Sequence, residues 1–140
     1  MNTSVSSSLM GLERDPLRAE PPRGVDAAME SERTLLSLAL NDESSVHSAL
    51  MGETEPGSGC ALDPRTHALV RLGALVAIDA APASYGWSVD AALAAGATVD
   101  EIVGMLFAVA PVVGIARVVA AAPALADALG YDIESGLETL

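Results

Sequence analysis

The chain has 140 residues, 51% of them hydrophobic and 19% charged, and its 19 acids against 7 bases give a net charge of −12. That length sets the expectation of a single domain with a real core, and the acidic balance repels phosphate backbones and anionic lipid heads, so neither nucleic acid nor membrane is an expected partner. The single cysteine, Cys60, excludes an intrachain disulfide, a C-x-x-C redox pair and a cysteine-rich zinc site, and it fits a reducing, cytoplasmic setting with no metal and no cofactor.

The apolar surplus, with a mean hydropathy of +0.40, exceeds what a small monomer needs for its core and points to a homo-oligomer that buries part of it between subunits. Residues 1–24 are rich in Ser, Pro, Arg and Glu without an apolar period and read as a flexible arm; the opening "MNTSVSSSLMGLERDP" lacks the pattern of a secretory signal. Residues 25–61 read as a short helical extension and a linker. Asp26 is the expected N-cap of a first helix carrying Met29, Leu35, Leu36 and Leu38–Leu40. Asn41 or Asp42 caps a second helix that Gly52 ends, and "ETEPGSGCA" follows as linker.

The strongest start signal is "LDPRTHALVRLGALVAIDAA", with Asp63 at the N-cap and Pro64 at the first helical position, where a missing N–H costs nothing. This third helix is expected over 64–80. Pro82 opens a fourth that Gly96 closes, and Thr98 with Glu101 forms a capping box for a fifth running to about Ala110. A sixth, "IARVVAAAPALADAL", ends at Gly130, with Pro123 bending or splitting it. No stretch alternates with period two, so the expected class is all-α. Residues 102–116 hold fifteen uncharged positions before Arg117, short of the roughly 20 a membrane span needs, so two buried helices are favoured over a membrane hairpin.

The run from Leu62 to Gly130, through "LDPRTHALVRLGAL", "AALAAGATVDEIVGML" and "AVAPVVGIARVVAAAPALADALG", resembles the carboxymuconolactone decarboxylase family, which shares the alkylhydroperoxidase D-like fold. The resemblance implies an all-helical bundle of the alkylhydroperoxidase D-like type over residues 62–140, in a chain of about six helices, assembled as trimers or hexamers. It also implies two activities. Peroxidase-like members carry C-x-x-C-x-x-x-H on the helix before the A-G-x-T turn, and decarboxylase members use a histidine on that helix without a cofactor. Counted back from Gly96, the two cysteine places fall on Ala81 and Ser84, the histidine place on Ser88, and the expected glutamate near Leu69. All are vacated. A serine hydroxyl has no anion near neutral pH, so thiol peroxidase chemistry is excluded in this register.

The candidate pocket residues are therefore Ser84, Tyr85, Ser88, Arg117 and His67. Ser84 and Ser88 share a helix face and form either a polar binding patch or, as favoured, local bonds to their own backbone. Tyr85 and Trp87 suit a subunit contact better than a ligand pocket or plain core. Arg117, inside "VVGIARVVAAA", is expected to be buried and paired with Asp79, Asp90 or Glu101; the alternative is that it binds a substrate carboxylate. His67 is the one general base near the family domain and is expected to face solvent. The favoured function is a non-redox oligomeric binding or structural protein with a degenerate site. The alternative is a cofactor-free decarboxylase or isomerase acting on a small carboxylate or lactone, with Arg117 holding the acid.

Overall fold

The structure, a computed structural model, describes residues 23–52 and 62–138. All regular elements among them are helices: α1 (Arg23–Ala39), α2 (Glu43–Met51), α3 (Pro64–Ala77), α4 (Pro82–Ala94), α5 (Val99–Val113), α6 (Ile115–Ala128) and α7 (Ile133–Leu137). The chain divides after residue 53 into two compact units. Residues 1–22 of the expected N-terminal arm and the whole linker, Cys60 included, lie outside the described residues, while Arg23 and Gly24, expected in the arm, open α1.

In the first unit, α1 begins at Arg23 rather than after Asp26, which sits in the first turn where its charge favours the helix dipole. The chain turns through Asn41 in the left-handed region, and Asp42 caps α2 by accepting from the Ser45 N–H. The hairpin buries none of its residues fully. Its half-buried positions are small or polar (Thr34, Ser37, Ser45, Ser48) apart from Val46, while Met29, Leu35, Leu36 and Leu40 remain exposed.

The second unit holds the core. Asp63 accepts from the Thr66 N–H at 3.1 Å and caps α3 beside Pro64. α3 stops at Ala77, three residues before the expected end, because Asp79 takes a left-handed φ of 57°. The Ala80 and Asp79 N–H groups then bond back to the Leu75 and Val76 carbonyls, which satisfies the helix end. α4 packs against α3 and α6, and α5 against α3 and α6. Leu72, Val76, Tyr85, Val89, Ala92, Ile102, Met105, Ala121 and Leu125 interlock between them, and no charged side chain is buried among the described residues. Alanine supplies much of the contact, which lets the helices approach closely.

Two proline expectations change. α5 continues through Pro111 to Val113, and α6 runs unbroken through Pro123. Both prolines lie on exposed sides, where the carbonyl each leaves without a donor can turn toward water. Gly114 alone makes the corner between α5 and α6, with φ 88° and ψ 149°. No helix among the described residues is long and apolar enough to cross a membrane.

Candidate functional site

α3 and α5 leave a trough between them, and its floor is set by backbone. At Gly73 a Cβ would meet Val109 Cγ1 at 3.0 Å and Met105 Sδ at 3.6 Å, so a larger residue there would make the Val109 side chain give by a few tenths of an ångström. On the outer side the small residues Ala74, Ala77, Gly104 and Ala108 do not fill the space. An open groove of about 640 Å³ results, walled also by Leu69, Val70, Val112 and Val113. Its polar groups, Thr66 and Glu101, sit at the end where α3 and α5 both begin.

Glu101 is already engaged there. Its side chain accepts from the Thr98 N–H at 2.9 Å, closing the capping box, and it pairs with Arg65 across to α3 at 3.1 Å. The pair is partly exposed and contributes about 0–1 kcal/mol. The groove therefore offers an apolar wall with a neutralised end, not an acid free for proton transfer. A smaller hollow of about 280 Å³ in the α1–α2 hairpin is lined by Glu43 and His47 among others. Two such ligands are too few for a metal site, and no cluster of three or more His, Cys, Asp or Glu is placed to hold one among the described residues.

None of the five sequence candidates lines the groove. Tyr85 is core, 2% exposed, and donates its hydroxyl to the Leu75 carbonyl at 3.3 Å; this corrects its expected place at a contact or pocket. Burial, and then the Asp79 carboxylate, push its phenol pKa above the usual 10. Trp87, two residues on, is 83% exposed. Ser84 and Ser88 are half-buried on α4, and neither hydroxyl makes a hydrogen bond among the described residues, so the expected backbone bonds do not form. His67 is half-buried in the first turn of α3.

Arg117 is exposed on α6, and no carboxylate lies within 4 Å of it among the described residues. The expected buried ion pair is absent because α6 turns this position outward, and Glu101 goes to Arg65 instead. Sequence reasoning named Leu69 and Glu101 for other roles and missed the groove. Its signal was legible, since α5 carries no polar side chain from Ile102 to Val113.

The second unit is an all-α bundle with an apolar groove, and no histidine is among the residues that line it. Residues 48–127 match the sequence model of the Carboxymuconolactone decarboxylase family, more than half of the chain, and the protein belongs to that family. The match begins inside α2, fourteen residues before Leu62 where the sequence motifs begin. No curated protein and no solved structure matches the chain.

Proposed function

We propose that this chain is a non-redox member of its family that acts in the cytoplasm as a homo-oligomeric binding or structural protein. The observation that carries the reading is the count of one cysteine, at position 60, which leaves no dithiol for reversible peroxide chemistry anywhere in the chain. Ala81, Ser84 and Ser88 occupy the places where the family's reactive groups are expected, and among the described residues neither serine has a hydrogen-bonded base to activate it. The apolar groove and exposed Phe107 and Trp87 support association, since a soluble monomer rarely leaves so much apolar surface open.

Native mass spectrometry of the full chain, purified without detergent, tests this. A trimer or hexamer that turns over no muconolactone-type carboxylate is the expected result. A retained small carboxylate that disappears in Arg117→Ala, with assembly intact, would replace the reading with a cofactor-free decarboxylase or isomerase. A bare monomer would overturn it.

A further inference from the structure

We draw no further inference here: the strongest candidate, the apolar groove between α3 and α5 with the open side of α5 beside it, carries nothing, because nothing in the structure shows what covers it.

Discussion

Tyr85 illustrates how one side chain can belong to the core and still report on chemistry. Its ring fills the space between α3 and α4, and its hydroxyl shares the Leu75 carbonyl with the Ala80 N–H, which bonds the same oxygen at 3.0 Å. Removing the hydroxyl therefore strands no acceptor, and Tyr85→Phe should cost only about 0.5 kcal/mol, the low end for a hydrogen bond. The raised phenol pKa has a definite sign. The unfolded phenol gives up its proton near pH 10 while the folded one still holds it, so this contribution is intact below pH 10 and is lost as the pH rises through the shifted value. Thermal unfolding from about pH 8 to 11 should show a decline above 10 that Tyr85→Phe flattens. An identical decline in the variant would mean that another group carries it.

At the scale of elements, one device recurs. α1, α3, α4 and α6 each end with paired bonds that run back over a left-handed residue: Asn41, Asp79, Gly96 and Gly130. Asparagine and aspartate can stand where glycine usually does because their short polar side chains tolerate that region. The corner between α5 and α6 is different. Gly114 joins two long helices alone, and a Cβ there would find open space. Any loss in Gly114→Ala must then come from the backbone, since φ 88° with ψ 149° suits glycine only. The expected loss is about 1–3 kcal/mol by chemical denaturation. A neutral result would show that the corner relaxes to another conformation.

For the whole molecule, charge and apolar surface pull in opposite directions. A net charge of −12 pushes copies apart, while the proposed assembly would have to draw on the apolar surface left open along α5 and the groove. Salt screens the first and leaves the second in place. Self-association should tighten as ionic strength rises from about 0.05 to 0.5 M, read by sedimentation at fixed protein concentration. Weakening instead would mean that attractive ion pairs dominate the contact.

The sequence by itself determined the helical class, the Asp63–Pro64 and Thr98–Glu101 helix starts, the left-handed stops at Gly52, Gly96 and Gly130, and the family. Each of these rests on a few neighbouring residues whose backbone groups must be satisfied locally, so adjacent letters suffice to read them. Tertiary structure alone decided which face of each helix is covered. The apolar sequence neighbours of Arg117 suggest burial, but burial depends on the helix opposite, and α6 turns that position outward. Glu101 had several possible partners on paper, and the parallel course of α3 and α5 gave it Arg65. The groove arises the same way: small side chains on two helices make a hollow only where the packing brings them face to face.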